Sequence, residues 1–136
     1  MNPTVTAFVG YIIVMLALLG TLGTLRVGLT LTGKRAPNSF APDGTDVSPF
    51  ANRLCRAHAN SYEGFPIFGG LMLLAIAMDT TAITDSLAMY MIGARILQAA
   101  THLVSTSNLA VQVRFAFFLV QVGIAIWWVM QFCQLA

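Results

Sequence analysis

An all-α integral membrane protein, a bundle of four helices, is the fold class this sequence predicts, and three observations lead there. Hydrophobic residues fill 57% of the 136 positions and charged residues only 9%, whereas a soluble domain is about a quarter charged. Apolar runs long enough for a membrane helix, which needs about 20 residues, recur four times along the chain. Between them, turn-forming residues gather into one long connection and two short ones.

The first helix is expected over about residues 4–31, since residues 1–25 hold no charged side chain and Pro3 suits a helix start. Gly33, Lys34 and Arg35 close it, with Arg26 near its far end. A cleaved leader is not expected, because MNPTVT lacks Lys and Arg and the apolar run after it is too long. Residues 36–50 contain three prolines, a glycine and two aspartates, so 33–50 is read as a loop. A second helix follows at about 51–78, polar in its first half, with Pro66 expected to kink it. The third spans about 86–106 and carries Arg95, Gln98 and His102. The fourth, about 109–134, is uncharged after Arg114, and its Trp127 and Trp128 suit an interfacial aromatic belt. All 136 residues thus form a single four-span domain.

The basic residues gather at the first loop, with Arg114 near the third, while the second loop carries only Asp79 and Asp85. The positive-inside bias then places the first and third loops in the cytoplasm and both termini outside or in the lumen. The chain is read as a multi-pass protein of a bacterial inner membrane or of the endoplasmic reticulum, in contact with membrane lipid. Its net charge of +2 comes without a basic patch, so nucleic acid is not a partner. Cys55 and Cys133 have no metal-ligand spacing; no metal is expected, and both are read as small buried hydrophobes.

Chemistry concentrates in NRLCRAHANSYEGFP, residues 52–66. At about 100° per residue, Arg53, Arg56, Asn60 and Glu63 share about 80° of one helix face, and Arg95, Gln98 and His102 about 60° of another. His58 points away from the first stripe. Ionisable groups entering a membrane are costly and mark functional sites. At about 1.5 Å per residue, Glu63 and Arg95 both lie roughly 16–18 Å from the cytoplasmic edge. Pairing is the cheap solution for two such charges, so a Glu63–Arg95 ion pair is expected. Arg56, His58, Asn60, His102 and Arg114 lie about 6–14 Å inside that edge, with Arg26 near their height. This cation-rich layer suits a small anion with more than one carboxylate, because arginine binds carboxylates as a two-pronged fork. Intramembrane charge also prompts a transport reading, but no polar track crosses the apolar halves of helices two and four.

The run Arg56-Ala57-His58-x-Asn60-x-x-Glu63-x-x-Pro66, followed by Arg95 and then Arg114, resembles the MAPEG family, the membrane-associated proteins of eicosanoid and glutathione metabolism. The resemblance covers the whole chain in length, layout and motif order. It implies a homotrimer that binds glutathione between subunits on the cytoplasmic side. It implies that Arg114 stabilises the glutathione thiolate, which attacks a hydrophobic small-molecule or lipid electrophile or reduces a hydroperoxide. Arg56, Asn60 and Glu63 match the family's glutathione-contacting positions, Arg26 a basic residue ending helix one, and Arg95 the partner of the helix-two glutamate. With His58, Gln98 and His102 these make up the expected glutathione site. The implied activity is that of a glutathione transferase or peroxidase. The alternative is a non-catalytic lipid- or thiol-binding scaffold, which the family also contains. Gln98 and His102 stand where catalytic members commonly carry tyrosines, and Gly64 where some carry an aromatic residue.

Overall fold

The computed structural model describes residues 1–136 as four helices, α1 (Pro3–Leu31), α2 (Pro49–Ala77), α3 (Asp85–Val104) and α4 (Asn108–Cys133), with one 3-10 turn at Thr81–Ile83. Each start has a local cause. Asn2 accepts from the Val5 amide ahead of Pro3, Ser48 from Ala51 ahead of Pro49, and Ser107 from Ala110. Such caps satisfy amides that the first helical turn leaves free. The Ser48–Pro49 pair explains why α2 begins two residues before the expected start: proline suits the first helical position. Ser105, in an extended conformation, ends α3 two residues early. α2 runs on through Pro66 without interruption.

Three helices, α1, α3 and α4, are long and apolar enough to cross a membrane. α2 is as long as α1, but Arg53, Arg56, Asn60 and Glu63 lower the apolarity of its first half. The bundle is built on α3, which packs along α1, α2 and α4, while α2 and α4 meet only over a short stretch.

Two apolar clusters hold the subunit together. The larger includes Tyr11, Phe68, Met72, Met91, Ile124 and Trp128 and lies toward the end with the termini and the connection between α2 and α3; the smaller joins Leu18, Leu54, Ala57 and Ala99 toward the long loop. Trp128 is wholly buried, which corrects the expected aromatic belt: it shares the inner face of α4 with Gln121, Ile124 and Ala125, and only Trp127 is exposed. Cys55 is buried as expected, whereas Cys133, at the last turn of α4, is exposed. At the end opposite the long loop, Thr4 hydrogen-bonds Thr84 (2.7 Å) and Asp85 (2.6 Å), tying α1 to the start of α3.

The long loop is an ordered cover. Arg35 pairs with Asp46 and donates to the Ser39 carbonyl at 2.6 Å. The Asp46 carboxylate also accepts from the Ala41 amide. These bonds, Arg35 first, hold its carboxyl below the usual carboxylate range. Phe40 lies under both Arg26 and Arg35, with guanidinium-to-ring distances of 5.6 and 5.0 Å.

Gly44 lets this cover close onto α2. Its φ is +70°, and a Cβ there would stand 2.7 Å from the Ala51 carbonyl oxygen. Left-handed geometry alone costs a non-glycine residue about 1–2 kcal/mol. Gly44→Ala is therefore expected to cost more than that and to detach the loop. Limited proteolysis between residues 36 and 48 should become at least about tenfold faster, the equivalent of 1.4 kcal/mol; an unchanged rate would refute this account.

Candidate functional site

Two hydrogen-bonded groups of polar side chains lie inside the bundle, at different heights. Counting about 1.5 Å per residue from the loop end of each helix, Arg56, Gln98 and Arg114 lie at roughly 9–10 Å and His102 at roughly 3 Å. Asn60, Arg95, Gln121 and Glu63 lie at roughly 14–21 Å on the same scale.

The deeper group is a ladder across three helices. Arg95, 1% exposed, donates from Nε to Gln121 Oε1 at 3.0 Å and from Nη1 to Asn60 Oδ1 at 2.7 Å. Gln121 in turn donates to Gln98 Oε1 at 2.8 Å. The Arg95 guanidinium also lies over Tyr11 (5.2 Å) and Phe68 (5.8 Å). The ladder links α2, α3 and α4.

The ion pair expected between Glu63 and Arg95 does not form in the subunit. The one ion pair is Arg35–Asp46, in the loop. Counted from the observed helix ends, Glu63 lies about 7 Å deeper than Arg95; Asn60, nearer in height and about 60° round the helix from Glu63, takes the position facing Arg95. Glu63 is exposed. It lines, with Asn60 and Arg95, the head of an apolar groove of about 620 Å3 between α2 and α4, walled by Ile67, Phe118, Val122, Ile126 and Met130.

The shallower group joins α3 to α4. Arg114 Nη1 lies 2.8 Å from His102 Nδ1, and both residues are 8% exposed. Arg114 Nε is buried without a partner. Arg56, exposed on α2, acts electrostatically on both His102 and Arg114. Arg95 and Arg114 inside the bundle and Arg56 on its surface thus have no carboxylate paired to them. Anchoring comes from Arg53, whose Nε donates to the Leu103 carbonyl at 2.9 Å and fixes α2 against the end of α3.

Two candidate residues are not brought to these groups, and a third takes another role than expected. His58 stacks on Tyr62 (6.4 Å between ring centroids) and lines an apolar depression with Ile12, Met15 and Leu16 on the α1 side. This agrees with its position off the polar stripe and removes it from the site within the subunit. Arg26 turns into the loop, reaching the Ala41 carbonyl at 3.3 Å and Cys55 Sγ at 3.9 Å. Gln98 lies inside the bundle, but as the end of the ladder rather than as a ligand-facing group.

Sequence reading missed Gln121. It is the only strongly polar side chain between Arg114 and Gln131, and seven residues after Arg114 it returns to nearly the same helix face. That spacing was the available signal. Ser61, wholly buried with its carbonyl bonded to the Tyr11 hydroxyl at 2.8 Å, was also missed.

Comparison with known proteins bears on what these cations serve. The model of the MAPEG family matches residues 4–133. The chain belongs to the MAPEG family. No curated protein and no solved structure matches it. The match spans all four helices. Membership makes this a helical-bundle membrane protein of the family concerned with glutathione and eicosanoid metabolism; catalytic and non-catalytic MAPEG proteins both exist.

Proposed function

We propose that this protein is a membrane-bound glutathione transferase in which Arg114 stabilises the glutathione thiolate. The observation that carries the reading is the set of unpaired cations, Arg56, Arg95 and Arg114, with Arg114 Nε buried and unpartnered. A buried guanidinium N–H such as Arg114 Nε is costly to leave without an acceptor unless an anion supplies the contact. Glutathione, with two carboxylates, an ammonium and a thiol, has the chemistry to meet it. The guanidinium forks of Arg56 and Arg114 suit anionic groups, while exposed Glu63 suits the ammonium.

A free thiol has a pKa near 8.5, and a neighbouring guanidinium lowers it. The thiol proton then passes to water and no general base is required. The thiolate sulfur forms a bond to an electrophilic carbon of a hydrophobic substrate as the leaving group departs with the bonding pair. The same thiolate could reduce a hydroperoxide: sulfur attacks the terminal oxygen, the O–O bond breaks to release an alcohol, and a second glutathione converts the sulfenic acid to disulfide and water. The apolar groove between α2 and α4 gives such substrates a way in from the bilayer.

In this reading the protein is a homotrimer whose subunits complete each other's sites. Exposed Arg56 and Glu63 on α2, and Arg26 on α1, then meet a neighbour. The long loop is cytoplasmic and both termini lie on the other side.

The test is an ultraviolet difference spectrum of the detergent-solubilised protein with glutathione at neutral pH. A thiolate band is expected, together with turnover of a hydrophobic electrophile. Glutathione binding without a band would favour the non-catalytic scaffold. Absence of binding would overturn the glutathione assignment.

A further inference from the structure

We propose that the end of α1 and the long loop form a binding site for the phosphate of an anionic phospholipid, with Arg26 as its cation. The inference stands apart from the glutathione reading.

The site is a cavity of about 390 Å3 between the last turns of α1 and the loop, lined by Arg26, Thr30, Asn38 and Phe40 together with Val27 and Leu31. Its polar lining consists of a guanidinium, a hydroxyl and a side-chain amide, all able to donate, and no carboxylate borders it. The loop holds the guanidinium in place: the Phe40 ring lies 5.6 Å from it, and Nη2 reaches the Ala41 carbonyl at 3.3 Å. Nε and Nη1 have no acceptor in the subunit, so most of its donors remain for an anion. The acids of the loop are engaged elsewhere, Asp46 with Arg35 and Asp43 with Thr45. The helix end does not oppose an anion strongly, because the carbonyls of Gly28, Leu29 and Thr30 already accept from the amides of residues 32–35.

Height and surroundings point to a lipid as the source of the phosphate. α1 has 29 residues and is about 43 Å long at about 1.5 Å per residue, against a hydrocarbon core of about 30 Å. A centred helix therefore projects about 7 Å beyond the core at each end. Arg26, five residues before Leu31, lies at about that boundary, beneath the headgroups. Val27 and Leu31, 56% and 81% exposed, continue the cavity wall as apolar surface on which an acyl chain can lie. A free phosphate gains nothing from that surface. Basic pockets on the cytoplasmic side of membrane helices take anionic headgroups in this way, and the positive-inside reading puts the loop on that side. In the proposed trimer Arg26 borders a neighbour, and the lipid then lies at the seam between subunits.

The probe is dioleoyl phosphatidylglycerol. Protein in nanodiscs holding equal amounts of that lipid and of dioleoyl phosphatidylcholine is released into a mass spectrometer, and the retained lipid is identified. Phosphatidylglycerol is expected in excess. Arg26→Gln should cut that excess at least about fivefold, the contribution of one basic residue near an anionic surface. Lys34→Gln, outside the cavity lining, should cut it less. Thr30→Val should act in the same sense as Arg26→Gln and supplies the reading if that variant fails to fold. Equal retention of the two lipids by wild type, equal losses in Arg26→Gln and Lys34→Gln, or no loss in Thr30→Val would each overturn the inference.

Two further arms separate the sources. Binding of soluble glycerol 3-phosphate without retention of the lipid would assign the cavity to a free phosphate and refute the lipid site. Glutathione affinity of Arg26→Gln is measured in parallel. Lost glutathione binding with unchanged lipid retention would give Arg26 to glutathione and refute the site as well. A wild type that retains phosphatidylglycerol but binds no glutathione would support the site and sink the transferase reading alone.

Discussion

Replacing Arg114 by alanine is expected to abolish the thiolate band of bound glutathione and to lower kcat with a hydrophobic electrophile by about 10²–10³-fold, the range seen when one preorganised donor to a developing anion is lost. The magnitude follows from where this guanidinium sits. It is 8% exposed, so water screens it poorly, and an unscreened charge a few ångströms from sulfur acts far more strongly than one in bulk water. Its Nη1 is held at 2.8 Å by His102, so little reorganisation is needed when the thiol ionises. Arg114→Lys should fall between the two, since lysine keeps the charge but has no planar fork. On the proposed reading, glutathione affinity should fall much less than kcat, because Arg56 would still be there for its carboxylates. The fold should survive, since the His102 contact is the only hydrogen bond Arg114 makes in the subunit. Full turnover in Arg114→Ala would show that the thiolate is stabilised elsewhere.

The second large effect concerns stability. Gln121→Leu is expected to destabilise the subunit by about 3–5 kcal/mol, the combined cost of leaving one N–H of a buried cation and one neutral acceptor unpaired. The glutamine bonds Arg95 Nε and Gln98 Oε1 together, and all three residues are buried. Leucine fills a similar volume but orphans a donor on one side and an acceptor on the other. Arg95→Met should cost somewhat less, about 2–4 kcal/mol, because it removes the charge and leaves only neutral amide groups unpaired. The double variant is expected to cost less than the sum of the two, since removing both members of a buried polar pair is cheaper than removing one. Unfolding in mixed micelles, followed by helical signal, measures all three. Strict additivity would show that the Arg95–Gln121 bond contributes nothing of its own.

Helices and loops were legible because they depend on local chemistry, whereas heights shifted by several ångströms with the exact helix ends. Apolar run length, the prolines of 36–50 and the basic clusters are one-dimensional signals, and rise per residue turns position into depth. Azimuth was only partly legible. The stripe Arg56–Asn60–Glu63 was visible, yet choosing which of its members meets Arg95 required knowing how α2 is rotated against α3. A carboxylate was the expected partner on grounds of charge; two amides and two aromatic faces hold the guanidinium instead. Trp128 shows the same limit: an aromatic near a helix end suits an interface until packing turns its face inward.

The sequence by itself determined the class, the four helices, their caps and the presence of intramembrane cations, because each follows from composition or from neighbours within a few residues. It also carried the RAHxNxxE run and the arginines after it, on which the family resemblance rests. Tertiary structure alone decided that Arg95 bonds Asn60 and Gln121 rather than Glu63, that Arg114 meets His102, and that His58 and Arg26 turn to other surroundings. The bonds of Arg26, Arg95 and Arg114 join residues 12 to 35 positions apart. They depend on how helices rotate about their axes to bury the apolar clusters, and a helix with an apolar majority on every side carries little record of that rotation.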